Sequence, residues 1–432
     1  MNRELRSESG AGADGVAGRS RDGVVSDVGE HATLVVPDAD APDRVRQSRG
    51  VAVTVEAGDA GGGDTVGWDF PRELPTAVTP ATRYWSLVDR RDLLTATGLV
   101  MTGWTTPLRR WLITPADPLA AHAGTARRVG AADVADLLSA AEDARHRDSR
   151  YGGGNWRSSA VVDCLRHQAA PLLHGSYTDR IGRQLFSATA QLSRLAGWTA
   201  FDTGQHAAAQ RHYVQALRLA RAAADLPLGG YVLVCAALQA SLRGFHDDAI
   251  DMCEAAFERA RHAATPRVIA FYKLIEARAH ARAGHARAAA RALAASDALL
   301  SRADDHTGDD PDWIDFSTHT RLAADAVEIH RDLDLPAPAL RWNAEAAIPT
   351  DVFARSHGLR LVVLAGTRLQ GPSLDLDAAL SHGNHAVDVL ARVCSARAAD
   401  YAHDLLDRMR PWQREAGVVD LSHRIHHELT AA

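Results

Sequence analysis

Gly204, Gly244 and Gly284 stand forty residues apart, each between two alanine-rich stretches of helical period. A fixed step of this size restricts the chain more than any other feature, because a stacked unit buries its apolar face only against its neighbours. Five residues after each glycine comes a small residue: Ala209, Ala249, Ala289. Nine residues after comes a larger or intermediate one, Tyr213, Cys253 or Leu293, and twelve after comes Ala216, Ala256 or Ser296. The glycine allows a tight turn inside a helical hairpin. The small residues let the second helix lie close on the first, and the larger one fills the space between hairpins. The same ruler extends to Asp334 (with Ala339, Asn343, Ala346) and Leu374 (with Ala379, Gly383, Ala386). The step of fifty before Asp334 implies an insertion, for which Gly308-Asp309-Asp310-Pro311-Asp312-Trp313 is the candidate.

Glycine followed by small, large and small residues at these offsets is the tetratricopeptide pattern, lengthened by about six residues from its usual period. The expected fold is all-α: a tetratricopeptide-like helical-hairpin solenoid with a largely disordered N-terminal tail. Five hairpins are expected from about 190 to 390, with capping helices near 398–410 and 417–430. Three regions follow. Residues 1–80 form a low-complexity tail, rich in Gly, Asp, Val and Ser and including Gly61-Gly62-Gly63, with a short strand admissible around Val51–Val55. Residues 81–188 form an N-terminal helical region packing on the solenoid. In it, Asp133 is placed to cap an amphipathic helix, Gly152-Gly153-Gly154 breaks the pattern, and a second helix runs to about Leu173 before Gly175. Residues 189–432 form the solenoid and its caps.

Composition excludes several classes. Net charge is −6, and residues 1–80 account for it, with fourteen acids against eight bases. That balance does not suit a whole-chain nucleic-acid binder. Cys164, Cys235, Cys253 and Cys394 form no CxxC pair, which fits a reducing cytoplasm without a disulfide framework or zinc site. No apolar run reaches membrane-spanning length. Arg90-Arg91-Asp92-Leu93-Leu94 imitates a twin-arginine export core, but its apolar part is broken by threonines and glycines, so it reads as a structural helix.

The segments Pro171–Tyr177, Gly182–Phe186, Leu195–Trp198 and Ala209–Ala220 resemble the tetratricopeptide-like C-terminal regulatory region of actinomycete (Streptomyces-type) Xre-family transcriptional regulators. Asp89–Leu94 and Thr265–Val268 extend the resemblance to roughly residues 67–425. It implies a sensor half that serves transcriptional or developmental control. The family's helix-turn-helix is not recognisable here: residues 1–66 are acidic and glycine-rich, without a basic recognition helix.

If the repeat register holds, positions thirteen, ten, six and three residues before each turn face an inner groove. Among them are Arg194, Trp198, Phe201, Tyr231, Phe271, Arg278, Arg321, Glu328, Arg331 and Arg368. Arginine forks bind carboxylates and aromatic rings supply apolar anchors, a combination suited to a peptide, an acidic small molecule or a protein segment. The plainer alternative is that the aromatics are core between repeats and the arginines merely solvated. His423, His426 and His427 share a helix face but have no fixed carboxylate beside them, so no metal is expected. Gly152–Gly154 lacks a phosphate-loop ending, Asp309-Asp310 reads as a solvated loop, and neither a nucleophile elbow nor HExxH occurs.

The sequence therefore points to a non-enzymatic, cytoplasmic binding protein without cofactor. The alternatives are a protein–protein scaffold without ligand, or a DNA-binding regulator whose reader is unrecognised or encoded upstream. Self-association as a homodimer stays open. An arginine-lined, partly apolar concave face would favour the sensor, whereas arginines paired to local carboxylates would favour the scaffold.

Overall fold

The computed structural model describes residues 66–87, 99–124, 127–152, 159–304, 310–346 and 353–429. The expected strand near Val51, the Asp89–Leu94 segment, Gly153–Gly154 and Gly308-Asp309 lie outside these. All regular structure among the described residues is helical, apart from isolated bridges joining His122 to Tyr177 and Arg128 to Ser176.

The N-terminal part contains α1 (Pro75–Leu87), α2 (Thr105–Ile113), α3 (Ala131–Tyr151), α4 (Ser159–Cys164) and α5 (Ala170–Leu173), the last two joined by a π turn at Leu165–Ala169. Asp133 caps α3 from inside: Gly130 is the N-cap, and its N–H donates to Asp133 Oδ2 at 2.8 Å. Hairpins follow: α6 (Asp179–Asp202) with α7 (His206–Ala223), then α8 (Leu226–Leu242) with α9 (His246–Ala260), then α10 (Pro266–Arg282) with α11 (Ala286–Asp304). The series continues with α12 (His319–Asp332) and α13 (Pro336–Glu345), α14 (Ala354–Arg368) and α15 (Leu376–Leu390), and finally α16 (Ala396–Arg408) and α17 (Ala416–Glu428).

The turn chemistry follows the ruler. Gly204, Gly244 and Gly284 carry φ of 79°, 89° and 77°, the left-handed region where a Cβ is penalised. At the fourth position Asp334 takes φ 58°, a conformation Asp tolerates better than most residues. The fifth turn departs from the ruler. Its positive φ falls on Gly371, because a 3-10 turn at Gly371–Ser373 lengthens the connection ahead of Leu374. Five of the six first helices of the hairpins carry side-chain caps, α14 being the exception. Thr178, Asp225, Thr265, Thr318 and Ser395 accept the N–H three residues ahead.

The folded body begins earlier than composition suggests. Val66, Phe70 and Val78, all within the stretch assigned to the tail, are buried in the main core. They lie with α1 and α2 over α7, whose entire length is buried. Polar groups on α7 satisfy the backbone of the segment above. Gln215 donates to the Gly67 carbonyl, Arg218 to Pro71 and Arg221 to Arg72, at 2.6, 2.8 and 2.7 Å. Arg218 also forms a buried ion pair with Asp117 at 2.8 Å.

Helices α6, α8, α10, α12, α14 and α16 pack one against the next, and α16 returns to touch α6. Helix α3 packs on both α6 and α14. Apolar residues divide into a large core running from the N-terminal part to α10, a smaller one across α10 to α12, and a third in the C-terminal hairpins. The junction where the series closes is largely polar.

Candidate functional site

The residues singled out by the register lie on α6, α8, α10, α12 and α14, and they separate into three groups. The first is aromatic. Tyr231 on α8 and Phe271 on α10 meet edge to face at 5.8 Å. Trp313 stacks on Tyr231 at 4.8 Å with planes 7° apart, and Phe316 meets Phe271 edge to face at 5.1 Å. Trp313 ends the expected insertion and Phe316 follows three residues later, so the stretch between α11 and α12 supplies half of this cluster. Arg194 on α6 lies over the Tyr231 ring at 4.9 Å, and Arg321 lies over Phe316 at 5.9 Å.

Arg194 differs from every other buried arginine of this face. It is 6% exposed, makes no ion pair among the described residues, and its Nε has no hydrogen-bond partner. Asp148 acts on it through space, but that carboxylate is engaged by Arg355 at 2.8 Å and by Trp198 Nε1 at 3.1 Å. Around Arg194 lie two further buried polar groups. The Tyr213 hydroxyl is buried without a partner, and burial pushes the Cys235 thiol, which is hydrogen-bonded to Arg194, up to about 11. Buried donors without acceptors are costly, and few native sites tolerate them without a purpose.

The second group closes the series. Trp198 and Phe201 pack edge to face, with Arg397 of α16 over both rings at 4.9 and 5.5 Å. Arg355, at the start of α14, bridges Asp148 of α3 to Asp202 of α6 at 2.8 and 2.9 Å. Arg397 and Ser395 also reach Asp202, at 3.1 and 3.0 Å. These aromatics therefore serve packing between elements, as the plainer reading has it.

The third group holds most of the predicted arginines. Arg278 forks to Asp325 and Glu328 at 3.1 and 2.7 Å, and also donates to Tyr401 Oη at 3.1 Å. Arg321 pairs with Asp325 at 2.8 Å, and Arg331 with Asp332 at 2.7 Å. Glu328 further receives Arg282 at 2.9 Å and the Tyr401 hydroxyl at 2.6 Å. Burial alone would raise the Glu328 pKa, but Arg278, Arg282 and Arg331 overcome it and hold this carboxyl far below its ordinary range. Arg368 stands apart. It is half-buried at the end of α14, and its Nε has no partner among the described residues.

Sequence reasoning missed Arg145, Arg267, Arg355, Arg397, Trp313 and Phe316. Arg267, Arg355 and Arg397 sit in the first turns of their helices, ahead of the positions the ruler samples. Arg145 belongs to α3, outside the repeats, and the insertion has no register. The three C-terminal histidines do not converge. His426 hydrogen-bonds the Ser422 carbonyl at 2.7 Å and meets His403 edge to face. No group of three or more His, Cys, Asp or Glu among the described residues is placed to hold a metal ion. A shallow cleft of about 480 Å³ lies there, lined by His403, Met409, Arg410, Val418 and His423 among others, and by none of the predicted face residues.

No family model, curated protein or solved structure matches the chain.

Proposed function

We propose that this chain is a non-catalytic adaptor: a tetratricopeptide-like solenoid whose inner face engages a peptide segment of a partner protein. The observation that carries the reading is Arg194, a buried cation pressed against Tyr231 with no carboxylate of its own. A buried guanidinium whose polar contact is a thiol rather than a carboxylate is expensive, and an incoming carboxylate would repay it. The adjoining rings of Tyr231 and Phe271 suit an apolar anchor beside that charge. Transcriptional or developmental control, in the cytoplasm, is the setting that the resemblance to actinomycete regulators suggests. No helix among the described residues is long and apolar enough to cross a membrane.

The scaffold reading keeps support of its own. Arg278, Arg321 and Arg331 are spent on local carboxylates, so the C-terminal half of the face is built for rigidity. The two halves therefore divide the labour, with recognition near Arg194 and closure near Glu328. A small-metabolite sensor has less behind it, because the cleft beside His403 and His423 lies away from this face. A DNA-reading role would rest on residues outside the described ones.

Affinity capture from native extract, with mass spectrometry of proteins and small molecules, tests the proposal. Wild-type bait should enrich a partner set that Arg194→Ala loses, while both baits melt within a few degrees of each other. Equal enrichment by the two baits would sink the idea. Arg278→Ala is the wrong probe, since it removes an ion-pair partner of two buried carboxylates, Asp325 and Glu328, and so perturbs the interior as well as the face.

A further inference from the structure

The insertion is an acidic peptide with two aromatic residues, Asp310-Pro311-Asp312-Trp313-Ile314-Asp315-Phe316, and it lies against the face to which a binding role has been assigned. It forms no long helix of its own, only a single 3-10 turn at Asp312–Ile314. Its fixed points are contacts with other elements, of the kinds by which one chain recognises another. Trp313 and Phe316, three residues apart, take the apolar positions on Tyr231 and Phe271. Asp315 receives both terminal nitrogens of Arg145 at 2.7 and 2.8 Å, the fork geometry by which arginine selects a carboxylate. Asp310 receives Arg267 Nε at 2.7 Å and the Thr265 hydroxyl at 2.5 Å, while Arg267 Nη1 also holds the Ser317 carbonyl at 2.8 Å. Arg145 and Arg267 come from α3 and α10, so two separate elements converge on one short segment.

We infer that this face recognises an acidic peptide carrying two aromatic residues three positions apart, and that residues 310–317 occupy it as a built-in copy of that ligand. The occupant committed to is thus a segment of a partner protein with aspartates flanking Trp-x-x-Phe. The partner competes with the internal copy and adds a carboxylate for Arg194, to which the internal copy brings none. Being tethered, the internal segment has an effective concentration set by its short connections, and it screens out weak ligands. The inference rests on the binding role proposed for this face.

The test uses the full chain with Trp313→Ala and Phe316→Ala, which empties the aromatic positions, and a fluorescein-labelled peptide spanning Asp310–Ser317. Fluorescence anisotropy should show saturable binding roughly tenfold or more tighter than to wild type, where the tethered copy competes. A peptide with alanine for both aromatics should not bind, and Arg145→Gln in the emptied chain should weaken binding by about tenfold, the loss of one charge-assisted fork. Indifference of the emptied chain to the aromatic peptide overturns the inference. If the emptied chain does not fold, Asp310→Asn with Asp315→Asn weakens the hold on the segment without truncating its aromatic side chains. That chain must also bind the peptide more tightly than wild type, and equal affinity is equally fatal. Failure here with capture still sensitive to Arg194→Ala removes the ligand assignment alone. Failure of both removes the binding face.

Discussion

Individual polar residues in α7 decide how the N-terminal part attaches. Helical periodicity puts Gln210, Gln215, Arg218 and Arg221 on a polar stripe, which ordinarily faces water. Here the stripe is a docking rail for the carbonyls of residues 67–72, for the backbone of Val100 and for Asp117. Arg218 and Asp117 are 1% and 4% exposed, so removing one partner leaves the other charge in the interior. Arg218→Met should lower the unfolding free energy by about 3 kcal/mol in urea titration, a typical cost of breaking a buried pair. Arg218→Met combined with Asp117→Leu should recover part of that loss. The small and large positions of this helix, Ala209, Tyr213 and Ala216, were legible from the repeat pattern. The partners of its polar residues were not, because a carbonyl more than a hundred residues away leaves no mark on local sequence.

At the scale of helices, the turn ruler transferred well because it reports a backbone requirement. Any residue there must take positive φ, so Gly204, Gly244, Gly284 and even Asp334 could be placed by counting. The surroundings of the candidate face were less legible. Counting places a side chain on a face but says nothing of what covers it, so Trp313 on Tyr231 and the carboxylates on Arg278 emerge only from packing. Gly229 shows the same dependence on distant elements. The Trp111 ring of α2 lies directly on it, leaving no space for a Cβ. Gly229→Ala should therefore cost about 1–3 kcal/mol through overpacking, read as a lower melting temperature. Cleavage should accelerate first at α2 under limited proteolysis, while α16 stays protected.

Across the whole molecule, stability should depend on pH in two stages. Burial holds His212 down to about 3, and burial with Arg243 holds His206 down to about 4, both below the value near 6.5 expected when unfolded. A depressed folded pKa means the unfolded chain binds more protons, so the contribution is intact above about 6.5 and fades as pH falls toward 4. A second loss begins below about 4.5, where the unfolded chain's glutamates take protons and Glu328, held low by its arginines, does not. Urea midpoints at pH 7.5, 5.5 and 4 should fall in that order. His212→Phe should flatten the first stage only, if its fit in the core is kept. A flat profile from 7.5 to 5.5 in the wild type would contradict the burial of both histidines.

Open arrays of stacked hairpins lengthen by gene duplication, since each new unit needs only its neighbour. This chain has given up that freedom. Arg397 and Ser395 of the last hairpin bond Asp202 of the first, so an extra unit would carry them out of reach. The number of hairpins is therefore locked by the ends that must find each other. Variation among descendants should accumulate as changes in loop content, above all in the insertion at 310–317, rather than in repeat count.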